Sequence, residues 1–234
     1  MSADVAAVLA ALDELTGRAF GICQDLADAV ADIAGSGELT RASLKPVGDL
    51  AAEAIVGNEP LLQGAGFVAA VDEVTDAHRW LEWFGTDPDG RPQRLAVQAD
   101  PSGEYFYDYT VMDWFAIPQA TGRRHVTGPY VDYLCTNDYT LTFTVPVTVG
   151  GRFLGVAGCD VGVGTAERAL LPAMRAAAGR LVVANRDGRV LASNNGQHMS
   201  GDLVREPDVA EVWEPGWPGL HRHADLPLAV VELP

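Results

Sequence analysis

Apolar residues recur at three- and four-residue steps from the start of the chain, at Val5, Leu9, Leu12, Leu15, Ile22, Leu26, Val30 and Ile33. This period is that of an amphipathic stripe, and it predicts one long helix over residues 4–34, ended by Gly35 and Gly37. So long a stripe must be covered, by the chain's own sheet, by the same helix of a second copy in a homodimer, or by both. A second helix is expected over residues 44–55, ahead of Gly57.

From Gly64 the apolar period shortens to that of strands. GFVAAVDEV, RWLEWFGT and RLAVQAD read as hairpin-linked strands, with a turn at Asp87 to Gly90. Trp80 and Trp83, three residues apart, fall on opposite strand faces, so at most one of them faces any pocket on this sheet, and Trp80 shares its face with Glu82. The stretch EYFYDYTVMDWFAIPQATGRRHVTGPYVDYLCTND is too aromatic, and too interrupted by Pro and Gly, to be one regular element, and it reads as a loop. TLTFTVPV then alternates strictly, with Leu141, Phe143 and Val145 on one face and Thr140, Thr142 and Thr144 on the other, as a half-buried antiparallel strand does. A turn at residues 149–151 leads to the partner strand RFLGVAGCDVGV.

Past Gly164 a helix is expected over TAERALLPAMRAAAG, with Pro172 as a kink point. The hairpin LVVANRDGRVLASNN follows, turning at Asp187-Gly188, and LPLAVVELP forms a final strand. The tail is too short for a full core of its own and reads as a small module packed on the first. The expected division is 1–57 helical, 58–163 the main sheet module and 164–234 the small second module. No internal repeat is visible.

Composition sets outer bounds. A chain of 234 residues, 48% hydrophobic and 21% charged, is an ordinary globular protein able to bury one good core. The net charge of −16 with scattered basic residues argues against nucleic acid, which needs clustered Lys and Arg. The N-terminus carries early acidic residues and no basic leader, and no stretch reaches the roughly 20 apolar residues of a membrane span. Cys23, Cys135 and Cys159 are odd in number and far apart, and read as reduced thiols. A cytoplasmic chain without a membrane partner is the expectation.

No GxSxG, HExxH, P-loop or GxGxxG pattern is present, so no enzyme and no cofactor are expected. His221 and His223 would share one strand face, but with no third ligand nearby in sequence they read as surface histidines. The acidic residues of DEVTDAHRWLEW read as a solvated strand edge. Asp160 lies in register with Leu154 and Val156, which puts an acid on an apolar face, where it needs a partner.

Residues 107–161 carry an ordered set: Tyr107, then Trp114 and Phe115, then Pro129-Tyr130-Val131-Asp132, then Pro146-Val147, then Gly155-Val156-Ala157-Gly158-Cys159-Asp160. The set resembles the Cache family of PAS-like sensor domains, specifically the ligand-binding module of double-Cache domains. The resemblance implies an α+β fold: a long N-terminal helix, a five- or six-stranded antiparallel PAS-like Cache sheet holding a pocket, and a small second β module. It also implies a small-molecule sensor in which Tyr107, Trp114 and Tyr130 wall the pocket while Asp132 and Asp160 accept a ligand ammonium. The family's carboxylate-holding arginine falls two residues before the tryptophan, and here that position is Met112. Arg123 or Arg124 could substitute only from the following turn. The ligand expected is therefore a small amine or amino-acid-related molecule, with a signalling or transcriptional partner downstream. The alternatives are an enzyme or accessory subunit of amine or amino-acid catabolism using the same pocket, and a structural dimerisation protein with a vestigial one. Against all of these, Trp114, Phe115 and Tyr130 have the composition of core residues, Asp132 that of a turn cap, and Asp160 that of a strand-ending acceptor.

Overall fold

The computed structural model describes residues 1–87, 89–95, 106–131, 139–214 and 217–234. Helix α1 spans Ala3–Ser36, capped by the Ser2 hydroxyl, which accepts from Val5 N at 3.2 Å. Val5, Val8, Leu12, Leu15, Ala19, Cys23, Leu26 and Val30 are buried on it, while Asp13, Glu14, Arg18, Asp25, Asp28 and Asp32 are exposed. The apolar stripe is covered by the chain's own sheet, chiefly the strands on which Phe143 and Cys159 lie. Each such buried aliphatic side chain contributes roughly 1.5–3 kcal/mol. Helix α2, Lys45–Gly57, lies beside it with Val47, Ala51 and Ile55 inward. Among the described residues no helix is long and apolar enough to cross a membrane.

Six antiparallel strands form the main sheet: β1 (Leu62–Ala69), β2 (Leu81–Thr86), β3 (Pro92–Arg94), β4 (His125–Val131), β5 (Tyr139–Val149) and β6 (Arg152–Gly162). Their order is β3-β2-β1-β6-β5-β4. One face, with Phe67, Leu141, Phe143, Val145, Ala157, Cys159 and Val161, meets α1 and α2. The other face carries Val68, Leu81, Trp83 and Val156 in a smaller cluster with Tyr109, Trp114 and Phe115. The sheet is thus buried on both sides. Thr140, Thr142 and Thr144 are each at most 3% exposed, so the threonine face expected to be solvated is covered.

A bulge corrects the expected parity of β6. Val147 pairs with Gly155 and Thr148 with Phe153, leaving Leu154 as the extra residue. Leu154 therefore joins the helix-side core, while Val156 stays on the face of Asp160. The stretch read as a loop is also more regular than expected. It contains a 3-10 turn at Tyr109–Val111, helix α3 at Asp113–Thr121 and strand β4. Helix α3 is short, mostly apolar and contains Pro118, so it has no amphipathic period to read.

Helix α4 (Val163–Ala176) continues through Pro172 and leads to a second antiparallel sheet of β7 (Arg180–Asn185), β8 (Val190–Ser193), β9 (Leu220–Arg222) and β10 (Leu228–Leu233), in the order β8-β7-β10-β9. Strand β9, three residues long, carries too little pattern to be expected. The inner face of this sheet, Leu181, Val183, Leu191, Leu228 and Val230, joins the main core, and its outer face is covered by Val204, Val209 and Trp213.

The histidines expected at the surface are structural. His223, 9% exposed, has Nε2 2.8 Å from Asp13 of α1 and Nδ1 3.1 Å from Asp225. Asp225 in turn pairs with Arg124 at 2.7 Å, whose guanidinium lies over Phe20 of α1. His221 Nε2 sits 2.6 Å from Glu232. Among the described residues no cluster of metal-ligating groups occurs.

Gly155 allows β1 and β6 to approach. Its φ is +146°, and a Cβ there would stand 2.2 Å from the Val68 carbonyl. Gly155→Ala is expected to cost about 3 kcal/mol or more, read as a lowered urea midpoint at unchanged m-value.

Candidate ligand-binding site

Cross-strand partners in an antiparallel sheet point to the same face. Asp160 pairs with Thr142, and Thr142 with Thr127 across β4. Tyr130 reaches this row because a bulge inserts an extra residue between Thr127 and Tyr130, which brings Tyr130 opposite Thr140. The bulge needs Gly128: its φ is +118°, and a Cβ would lie 2.5 Å from the Thr140 carbonyl.

The result is a directed chain of hydroxyls. Thr142 Oγ1 donates to Asp160 Oδ1 at 2.6 Å and lies 2.7 Å from Tyr130 Oη. A hydroxyl has one hydrogen, so the Tyr130 hydroxyl donates to Thr142 while Thr142 donates to the carboxylate. Asp160 is 5% exposed, and its Oδ1 is held by the Thr142 hydroxyl of the neighbouring strand, with the Tyr130 hydroxyl behind Thr142.

Trp83 shares this face through its pairing with Gly66. Its indole lies across glycines: a Cβ on Gly64 would be 3.0 Å from Trp83 Nε1 and 3.0 Å from Asp160 Oδ2, and one on Gly158 would be 3.3 Å from Trp83 Cη2. Gly64 and Gly158 therefore make room for the ring beside the acid. Trp80 points to the other side, its Nε1 donating to Glu82 at 2.9 Å under the Arg94 guanidinium, as the strand parity requires.

Helix α3 closes over the face from the far side. Thr144 Oγ1 donates to the Trp114 carbonyl at 2.8 Å, and the Met112 carbonyl caps the helix by accepting from Phe115 N and Ala116 N. Trp114, 9% exposed, stacks on Tyr109 with ring centroids 6.5 Å apart. Phe115 packs edge-on to Tyr109 and Phe153 as a core residue. Tyr107 and Met112 pack at the rim of the same cluster. Asp132 lies outside the described residues.

Tyr109, not singled out in the sequence, is an anchor of this layer. It is 1% exposed, its hydroxyl donates to the Ala69 carbonyl at 2.8 Å, and burial pushes its phenol up to about 12. Arg79 covers the outer side of Tyr109 and pairs with Asp108 at 3.0 Å. The Thr110 hydroxyl, reinforced by Arg79, holds the Asp108 carboxyl below its ordinary range.

The arginines that could replace Met112 are occupied elsewhere. Arg124 faces Asp225 and Phe20, Arg94 engages Glu82, Arg79 engages Asp108, and Arg123 is exposed. The segments outside the described residues contain no lysine or arginine.

On the far side of β6, the Cys159 thiol lies 3.6 Å from the Cys23 thiol of α1, both reduced. The Cys23 contact and burial push the Cys159 thiol well above its ordinary range.

His125 pairs with Thr144, and burial holds its imidazole below the ordinary range, against the pull of Asp113. A depressed histidine favours the neutral form in the fold. Its contribution to stability is complete above the ordinary value and is lost as pH falls through the lowered one. The melting temperature is expected to fall from about pH 7.5 to about pH 5, and to fall less in His125→Gln, as followed by circular dichroism.

Residues 93–166 match the model of the first PDC sensor domain of methyl-accepting-chemotaxis-protein-like receptors. No curated protein matches the chain. Among solved structures, the extracellular domain of the putative histidine kinase soHK1S-Z6 is similar at 17% identity and a TM-score of 0.64, with 98% of this chain and 90% of that one covered. The ligand-binding domain of the Campylobacter jejuni chemoreceptor Tlp3 in complex with L-valine aligns at 13% identity and a TM-score of 0.63, over 86% of this chain and 72% of that one. A structure named methyl-accepting chemotaxis protein X aligns at 16% identity and a TM-score of 0.54, covering 95% and 97%. The chain has the fold of the Cache (PDC) sensor domains, and its central segment carries the sequence signature of a first PDC sensor domain.

Proposed function

We propose that this chain is a ligand-binding sensor module, acting without turnover, whose ligand is a small amine that needs no α-carboxylate. The observation that carries this reading is the buried Asp160 carboxylate, aligned by Thr142 and Tyr130, in a site where Met112 stands in place of a cation and the nearby arginines are held elsewhere. A buried carboxylate attracts an ammonium strongly, and aromatic faces add a cation–π contribution. Asp132, at its place in the family pattern, is the second ammonium acceptor. The Tlp3 structures with valine and isoleucine support an amine-bearing ligand for this fold, and the loss of the arginine separates this chain from the carboxylate half of such ligands.

Binding reaches α1 through the two residues next to the acid and its threonine. Cys159 Sγ lies 3.5 Å from the Ala19 carbonyl, and Phe143 packs edge-on to Phe20 at 5.2 Å. A shift of β5 against β6 is thereby felt by the helix, which hands it to a signalling or transcriptional partner or to a second copy.

In a thermal-shift screen, primary amines are expected to raise the melting temperature of the full chain more than the matching amino acids do. Asp160→Asn is expected to weaken amine binding roughly 10- to 100-fold, the range of one charge-assisted hydrogen bond. Binding confined to carboxylate-bearing ligands, or unchanged by Asp160→Asn, sinks the reading.

The proposed compartment is the cytoplasm, whose reducing poise suits the Cys23–Cys159 dithiol. Blocking free thiols in intact cells before lysis is expected to leave both cysteines without a disulfide, read by mass spectrometry. A quantitative Cys23–Cys159 disulfide contradicts it.

A further inference from the structure

Thr127, Thr140, Thr142 and Thr144 face the Asp160 side of the main sheet, and the last three use their hydroxyls within the fold. Thr140 Oγ1 donates to Gln63 Oε1 at 3.4 Å, Thr142 Oγ1 to Asp160 and Thr144 Oγ1 to the Trp114 carbonyl. Thr127 stands directly across from Thr142, and its Oγ1 is shielded from solvent with no hydrogen-bond partner among the described residues. Arg79 Nε and Asn195 Nδ2 share that condition, but their side chains bond through other atoms, Arg79 to Asp108 and Asn195 by accepting from Gln197 N. A threonine on a strand also lacks the bond to a carbonyl one turn back that a helical threonine makes. Valine has the same shape and an equal preference for strands, so a buried hydroxyl at this position costs stability without serving the fold.

We propose that Thr127 is a specificity residue of the candidate site, its hydroxyl bonding an uncharged oxygen at the end of the ligand remote from the ammonium. The inference rests on the amine reading above and narrows it to amino alcohols and related molecules whose oxygen stands several carbons from the nitrogen. Register sets that length. Thr142 pairs with Asp160 on one side and Thr127 on the other, so two strand spacings, about 9.5 Å, separate the acid from the unused hydroxyl. A hydrogen bond reaches about 2.8 Å at each end, which leaves the ligand's nitrogen and oxygen roughly 4 Å apart or more, beyond the span of two groups on adjacent carbons. Asp160 keeps its bond from Thr142 throughout, because a carboxylate has about four acceptor positions. The Thr127 hydroxyl donates as well as accepts, which suits an alcohol or a carbonyl oxygen. Being neutral, it balances neither a second ammonium nor a carboxylate.

Isothermal titration calorimetry of the full chain with 4-aminobutan-1-ol, n-pentylamine and 1,4-diaminobutane tests this, beside thermal melting of the unliganded variants. The two monoamines are equal in size and differ by one hydroxyl. The unsubstituted chain is expected to bind 4-aminobutan-1-ol roughly tenfold more tightly than n-pentylamine, a ratio that Thr127→Val reduces to within about threefold and Thr127→Ser, which keeps the hydroxyl, preserves. Unliganded Thr127→Val is expected to melt no lower than the unsubstituted chain, since the fold makes no use of the hydroxyl. Equal affinities for the two monoamines, a preference that survives Thr127→Val or is lost in Thr127→Ser, or a Thr127→Val chain that melts lower or does not fold overturns the role of Thr127 and leaves the amine reading intact. Tighter binding of 1,4-diaminobutane than of 4-aminobutan-1-ol overturns the uncharged oxygen, and binding of none of the three overturns both readings.

Discussion

Burial of the Asp160 carboxylate on the main sheet is the constraint that organises the rest of the site. A carboxylate taken out of water is costly unless hydrogen-bond donors replace the lost solvent. Thr142 stands opposite it on β5 for that reason, and Tyr130 completes the chain from β4. The β4 bulge at Gly128 then has a function beyond shape: with regular pairing Tyr130 would point to the helix side. Three strands thus converge on one side chain, and the substitution with the widest consequence for the site is at this acid.

The same sheet has to satisfy two cores at once. Its helix side is a continuous apolar layer against α1 and α2, and its other side is a mixed layer of threonines, glycines and aromatics under α3. This two-sided burial explains the compositional oddity of β5, where threonines alternate with Leu141, Phe143 and Val145 and yet none of them is solvated. It also couples the site to α1, since alternate residues of β5 and β6 face the acid and the helix. Cys159 and Phe143 sit one residue from Asp160 and Thr142, and both touch α1.

The second sheet adds to this scaffold instead of standing apart from it. Its inner face completes the core around α1 and α4, and the His223–Asp13 and Asp225–Arg124 contacts tie it to both α1 and the turn before β4. Arg124 is thereby drawn away from the site, which leaves the position of Met112 without a cationic replacement. A contact made for packing between modules in this way shapes the chemistry of the candidate site.

Much of this was legible in the chain itself. Long α1 follows from its 3.6-residue stripe, β5 from its strict alternation, and the sensor fold from the ordered motif between Tyr107 and Asp160, because these are local patterns that one element expresses alone. The opposite orientations of Trp80 and Trp83 follow from strand parity, but which of them faces the acid does not, since parity carries no absolute direction. Helix α3, the Leu154 bulge and the burial of the threonine face were invisible for a related reason: each is set by what packs on the far side of the sheet. Sequence alone determined which chemical groups the site has at its disposal, an acid, hydroxyls, aromatics and no arginine at the position of Met112. Tertiary structure decided that the Trp83 indole and the Asp160 carboxylate share one face of the sheet, because only cross-strand register brings residues 77 positions apart to the same glycine.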